Sequence, residues 1–183
     1  ACGSKDGASS EGSGDNILRT AASFAYPSLD VHKEYYGWYT SIYGLSEALF
    51  RFDENATAVD CLAEDAVSDG TTWTITLKDG VKFSNGNPLT PDMVIRNIQR
   101  LAEVNERFAY FADFDWKADG DNKIVVDTGK DVYPMLKNDL ASPECGMIDL
   151  DATEDFDKDP ICTGPFVITE FNPEGDVKVA RND

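Results

Sequence analysis

Two groups of side chains in this sequence have the types and spacing to hold an organic molecule. Tyr35, Tyr36, Trp38, Tyr39 and Tyr43 crowd five aromatic rings into nine residues. Rings with polar rims suit peptide side chains or the faces of an organic chelate. The second group is Arg107-Phe108-Ala109-Tyr110, in which a guanidinium precedes a phenol by three residues. An arginine can grip a carboxylate through two parallel hydrogen bonds, and an aromatic ring can stack beside it. Each group also has a plainer reading. Trp38 repeats with Ile42, Leu45 and Leu49 at helical spacing and could be core. Arg107 has Glu103 and Glu106 nearby in sequence, either of which would make it one half of a surface ion pair.

Other chemistry is thin. His32 is the single histidine, and without Cys or carboxylate partners at ligand spacing it does not make a metal site. Cys61, Cys145 and Cys162 fit no CxxC or Cys/His zinc pattern; Cys145 and Cys162 flank an acidic stretch and either pair or remain buried free thiols. Glu154, Asp155, Asp157 and Asp159 lack the glycine placement and register of a calcium loop, and read as a solvated loop. No nucleophile elbow, P-loop or dinucleotide fingerprint occurs. Choosing a general acid and base among so many carboxylates is arbitrary. A binding protein is therefore expected over a hydrolase, with no cofactor. The 34 acidic and 16 basic residues give a net charge of −18, which argues against nucleic acid or anionic lipid as partner, since both need a basic patch. No stretch approaches the ~20 consecutive apolar residues of a membrane-spanning helix.

The elements that must position these groups can be read from pattern. Ile17 to Ala22 is expected as a short strand. Gly37 to Phe50 is expected as a helix with Trp38, Ile42, Leu45 and Leu49 on one face, running into an extended Leu49-Phe50-Arg51-Phe52. Ala66 to Ser68 and Thr72 to Lys78 flank Asp69-Gly70 and predict a hairpin with Trp73, Ile75 and Leu77 on its inner face. Thr90-Pro91-Asp92 starts a helix with a capping hydroxyl and proline at the first turn, striped by Val94, Ile98 and Leu101. Phe108 to Trp116 is expected as a strand, Lys123 to Asp127 as its partner, and Tyr133 to Leu140 as a short helix. An acidic loop from Asp149 to Asp159 precedes strands at Gly164–Phe171 and Asp176–Arg181. The pattern is α+β and rich in hairpins, without regular βαβ alternation. Residues 1–14 are dominated by Gly, Ser and charged residues and read as a disordered tether.

Several blocks resemble, in order, extracellular solute-binding protein family 5, the oligopeptide-, dipeptide- and nickel-binding components of ABC importers. The most specific is Thr72-Trp73-Thr74-Ile75-Thr76-Leu77-Lys78-Asp79-Gly80-Val81-Lys82-Phe83-Ser84-Asn85-Gly86-Asn87-Pro88-Leu89-Thr90. Ser28-Leu29-Asp30-Val31-His32, Glu47-Ala48-Leu49-Phe50, Leu62-Ala63-Glu64, Pro160-Ile161-Cys162-Thr163-Gly164-Pro165-Phe166 and Val179-Ala180-Arg181-Asn182-Asp183 agree with it. These are scaffold residues: aromatic core positions and turn dipeptides. They identify the machine and leave the ligand open.

The resemblance implies the N-terminal part of a two-lobed, type II periplasmic-binding-protein-like clamshell. Residues 15–49 would begin the main lobe, 50–159 would be a hairpin-rich inserted subdomain, and 160–183 would return to the main lobe. With the second lobe absent, this stretch alone is expected to bind ligand poorly. Cys2, just after Ala1, resembles the acylated cysteine of a processed bacterial lipoprotein, which implies an extracytoplasmic monomer held to the membrane only by its lipid. The implied partners are a small peptide or metal chelate and the membrane permease of an ABC importer; a sensing or adhesion lipoprotein is the alternative. On the same grounds Tyr35, Tyr39 and Trp38 would line the mouth of the cleft, and Arg107 and Tyr110 would face the ligand. One departure stands out. Where the family pattern suggests a second arginine after Ser142-Pro143, this chain has Glu144, which disfavours a polycarboxylate chelate.

Overall fold

The computed structural model describes residues 17–21 and 25–182. The N-terminal tether and Cys2 lie outside the described residues. In chain order the first elements are helix α1 (Tyr36–Ile42), strands β1 (Phe50–Phe52), β2 (Ala58–Asp60), β3 (Ala63–Asp69) and β4 (Thr72–Leu77), and helix α2 (Pro91–Val104). They are followed by a 3₁₀ helix (Glu106–Asp113), strands β5 (Asp115–Asp119) and β6 (Lys123–Asp127), helix α3 (Leu136–Asp139), a 3₁₀ turn (Pro143–Cys145), and strands β7 (Phe166–Phe171) and β8 (Val177–Arg181).

The centre is an antiparallel sheet of order β3-β4-β6-β5. Its register sets Trp73 opposite Val126 and Ile75 opposite Ile124. Strict alternation in β4 puts Trp73, Ile75 and Leu77 into the core while the threonines between them are only half-buried. That is the two-residue period of a sheet covered on one face. Helix α2 supplies the cover with Val94, Ile98 and Leu101, all essentially without exposure. It begins where expected: Thr90 accepts a hydrogen bond from the Met93 amide at 3.2 Å, and Pro91 occupies the first turn, where its missing N–H costs nothing.

Four expected elements come out differently. Helix α1 stops at Ile42 and does not reach Phe50. Gly44 sits at φ +73°, the Gly44 amide donates to the Ser41 carbonyl and the Leu45 amide to that of Thr40, and this left-handed glycine cap ends the helix. Leu45 and Leu49 are buried as expected, but Ile42 is 75% exposed and Trp38 is half exposed, so the four never form one core stripe. Phe108 to Asp113 is not a strand. Phe108 and Phe111 are the buried positions, a spacing of three that suits the 3₁₀ repeat better than alternation, and the strand starts only at Asp115. The helix expected over Tyr133–Leu140 is limited to Leu136–Asp139. Residues 17–21 are exposed and lack regular structure, and Ala22 lies outside the described residues.

The chain returns beside its own beginning. The Gly164 amide donates to the Leu45 carbonyl and the Phe166 amide to that of Gly44. A side chain at residue 164 would collide with the Gly44 and Leu45 backbone, so glycine is required there by close approach. Cys61, Cys145 and Cys162 are free thiols. Burial pushes the thiols of Cys145 and Cys162 far above the ordinary range, which leaves them protonated and unreactive.

Candidate functional site

Tyr35, Trp38 and Arg107 meet around Glu144, the residue that departs from the family pattern. Glu144 sits in the short 3₁₀ turn, and its side chain has no exposure. One carboxylate oxygen, Oε1, accepts from Arg107 Nη2 at 2.5 Å and from the Trp38 indole Nε1 at 3.1 Å. The other, Oε2, accepts from Ser142 Oγ at 2.5 Å. A buried carboxylate is tolerated only when charged and polar partners replace its water, and this one has three.

Local geometry explains the convergence. Gly37 of α1 lies directly on the turn: a Cβ there would fall 2.7 Å from Glu144 Cα and 2.8 Å from the Pro143 carbonyl oxygen. The bare backbone lets α1 approach closely enough for Trp38 to reach down to the carboxylate. On the other side Asn105 ends α2 and caps the following 3₁₀ helix, accepting from the Arg107 amide at 3.2 Å. Its side-chain amide donates to the carbonyls of His32 at 3.0 Å and Glu34 at 3.1 Å. Asn105 therefore fixes Arg107 against the segment that carries Tyr35. The guanidinium carbon of Arg107 lies 4.0 Å from the Tyr35 ring centroid, in cation–π range, and Nη2 donates a second bond to the Glu34 carbonyl at 2.7 Å.

The result is an open wall of Tyr35, Trp38 and Arg107 over a buried acid. Tyr35 and Trp38 are 56% and 50% exposed although both are fixed underneath. Their outer faces can stack on a flat or apolar group, and Arg107 can donate to an acceptor. Arg107 ignores its sequence neighbours Glu103 and Glu106 as ion-pair partners and takes Glu144, 37 residues away. The other two residues sit elsewhere. Tyr39 is half-buried and stacks on Tyr26. Tyr110 donates to Asp139 Oδ2 at 2.7 Å, an oxygen it shares with the Tyr133 hydroxyl, and its ring packs among Phe111, Phe114 and Tyr133. Burial and the Asp139 carboxylate push the Tyr110 phenol well above its ordinary range.

Beneath the wall lies a second buried network. Asp30, without exposure, takes both prongs of Arg100 at 2.9 and 2.6 Å. Arg100 Nη1 also donates to His32 Nδ1 at 2.8 Å, and His32 Nε2 meets the Gly146 carbonyl at 3.0 Å. An arginine donor at Nδ1 and a carbonyl at Nε2 require the neutral tautomer with its proton on Nε2. Burial first and Arg100 second lower the pKa of His32 to about 4. His32 is therefore a structural tie between the chain start and the turn holding Glu144. Among the described residues no group of three His, Cys, Asp or Glu side chains could hold a metal ion, and no helix is long and apolar enough to cross a membrane. Two shallow grooves, one touching Cys162 and Phe166 and the other Leu77 and Pro88, do not include the wall.

Asn105 and Ser142 were not legible as site residues. Asn105 ends a helix, which the sequence shows, but its contacts to residues 32 and 34 are purely tertiary.

Residues 57–183 match the model described as bacterial extracellular solute-binding proteins, family 5 Middle. The nickel-binding protein NikA of Staphylococcus aureus is 26% identical over 139 residues, covering 75% of this chain and 28% of that protein. The glutathione-binding protein GsiB of Pectobacterium atrosepticum is 31% identical over 144 residues, covering 74% of this chain and 28% of that protein. The matched part of this chain thus spans little more than a quarter of either relative. A crystal structure of a nickel ABC transporter protein from Bacillus halodurans superposes with a TM-score of 0.79 at 30% identity, over 87% of this chain and 34% of that one. The fold is the N-terminal part of a type II periplasmic binding protein.

Proposed function

Since the chain belongs to the bacterial extracellular solute-binding proteins of family 5, we propose that it serves as the substrate-binding component of an ABC importer, capturing a peptide or an organic metal chelate outside the cell and delivering it to a membrane permease. The observation that carries this reading is the wall itself: two half-exposed rings and a half-exposed guanidinium, held from below by the buried Glu144. Rigid aromatic faces with one polar donor are what a binding cleft needs to orient a small organic ligand. The relatives support both ligand classes, one being named for nickel and one for the tripeptide glutathione.

In this reading Tyr35, Trp38 and Arg107 contact the ligand, while Tyr39 and Tyr110 are engaged elsewhere. A metal would arrive as cargo inside its chelate. Residues 15–49 and 160–183 belong to the main lobe, 50–159 to the inserted subdomain, and Cys2 carries the lipid that tethers a monomer to the outer face of the membrane. Calorimetric titration of the full-length protein with glutathione, a set of dipeptides and nickel bis-histidine tests the proposal. Saturable binding to one of these supports it, and no heat with any of them refutes the ligand class. Tight binding of free Ni²⁺ that survives His32→Ala would equally refute it, because the described residues offer no cluster for a bare ion.

A further inference from the structure

We propose that Glu144 sets the ligand specificity of this wall by occupying the one nitrogen that Arg107 needs for a two-pronged grip on a carboxylate. The inference rests on the binding role proposed above and narrows it. A guanidinium can meet a carboxylate end-on through Nη1 and Nη2 or side-on through Nε and Nη2. Both approaches use Nη2. In Arg107 the two hydrogens of Nη2 are already engaged, one by Glu144 Oε1 and the other by the Glu34 carbonyl. Only single-point donation from Nη1 or Nε remains for a ligand.

The electrostatics point the same way. Arg107 and Glu144 sum to zero charge, and the carboxylate is buried, so it stays with the pair and is not displaced into water. The indole of Trp38 and the hydroxyl of Ser142 hold it there. A second anion brought to the wall would find an arginine whose charge is already compensated. It would also approach the Glu144 carboxylate, whose like charge is held in place by its buried partners. A neutral or zwitterionic ligand meets neither obstacle. It can offer one carbonyl or one carboxylate oxygen to Arg107 and lay a ring or an alkyl chain over Trp38 and Tyr35. The ligand class is therefore a zwitterionic peptide or an uncharged amino-acid chelate, and polycarboxylate chelates are discriminated against.

Glu144 touches no ligand in this scheme; it acts through Arg107. The test is a charge-reversal of preference in the full-length protein, using nickel bis-histidine as the uncharged probe and Ni(II)–EDTA as the anionic one. Wild type should prefer the uncharged chelate. Glu144→Ala takes one acceptor off Nη2 and unmasks the charge, and should shift the ratio of the two dissociation constants toward the anionic chelate by about tenfold or more, the effect of one charge-assisted forked bond; Glu144→Gln, whose amide oxygen can still accept from Nη2, removes only the compensating charge and should shift it less. The double variant Arg107→Gln/Glu144→Gln carries no unpaired buried charge, so it serves even if the single variant folds poorly. It should return the ratio to near the wild-type value. An unchanged ratio in Glu144→Ala with binding retained, or a double variant that still favours the anion, overturns the role of Glu144 while leaving the binding function intact. Failure of the wild-type protein to bind either chelate or any zwitterionic peptide overturns both.

Discussion

Lowering the pH from 7.5 to 5 should destabilise this protein through His32. Its imidazole is fully buried, receives Arg100 on Nδ1 and faces the Gly146 carbonyl with Nε2. A proton on Nδ1 would remove the acceptor that Arg100 uses and set two cations side by side. Asp30 and, through it, Lys33 are the other charged groups around this centre. Burial and Arg100 bring the pKa down from 6.5 to about 4, outweighing Asp30 and the Gly146 carbonyl, which favour the protonated ring. The sign follows from linkage: between these two values the unfolded chain binds a proton that the folded chain refuses. Stability is therefore fully present above about pH 6.5, falls as the pH drops, and levels off below about pH 4 as far as this group is concerned. A shift of that size corresponds to roughly 3 kcal/mol in total, of which about 2 kcal/mol should be lost by pH 5. For a chain of this length that is a drop of about 4–8 °C in melting temperature. Carboxylates also begin to titrate near pH 5, so the assay is a difference. Glutamine can accept from Arg100 and donate to Gly146 without titrating, and His32→Gln should flatten the pH dependence of chemical or thermal unfolding between pH 7.5 and 5. If wild type and His32→Gln lose stability in parallel to within about half a kcal/mol, a difference that surface changes alone can produce, the buried neutral imidazole is not the acid-sensitive group.

Arg107→Ala should weaken ligand binding and also lower stability by about 1–3 kcal/mol, less than the loss of a fully buried pair because Arg107 is itself partly exposed; thermal melting alongside titration separates the two effects, and Arg107→Lys should recover part of the stability without the planar contact to Tyr35. Gly37→Ala should destabilise despite the better helix propensity of alanine, because the new methyl would press on the Glu144 and Pro143 backbone; a shift in Trp38 fluorescence should accompany the lower melting temperature. Thr90→Ala removes the acceptor for the Met93 amide and should cost about 1 kcal/mol by denaturant titration while leaving ligand affinity unchanged, since the Thr90 side chain bonds to none of Tyr35, Trp38, Arg107 and Glu144.

The sequence by itself determined the parts of this protein whose cause is local. Alternation in Thr72–Leu77 fixes which face of the strand is apolar, and the neighbouring Asp69-Gly70 turn fixes the hairpin. Thr90-Pro91 fixes where α2 starts, because an acceptor hydroxyl and a residue without an N–H can satisfy a helix terminus and little else. The aromatic run at 35–43 and the arginine at 107 stand out as candidate binding chemistry for the same reason: residue type alone carries the stacking face and the forked donor. What the chain could not show is which of these meet. Helix α1 ends eight residues earlier than the apolar spacing of Leu45 and Leu49 predicts, for a local reason present in the sequence as Gly44. The period of three in Phe108 and Phe111 is equally present in the sequence, beside an alternation that predicts a strand. The identity of the partner of Arg107 was decided only in three dimensions. Glu103 and Glu106 are near it along the chain, yet the acid it takes comes from 37 residues away, carried in on a turn that Gly37 admits and His32 anchors through Gly146. A buried acid must find its counter-charge where the fold brings one, and burial is a property of the assembled layers, not of sequence distance.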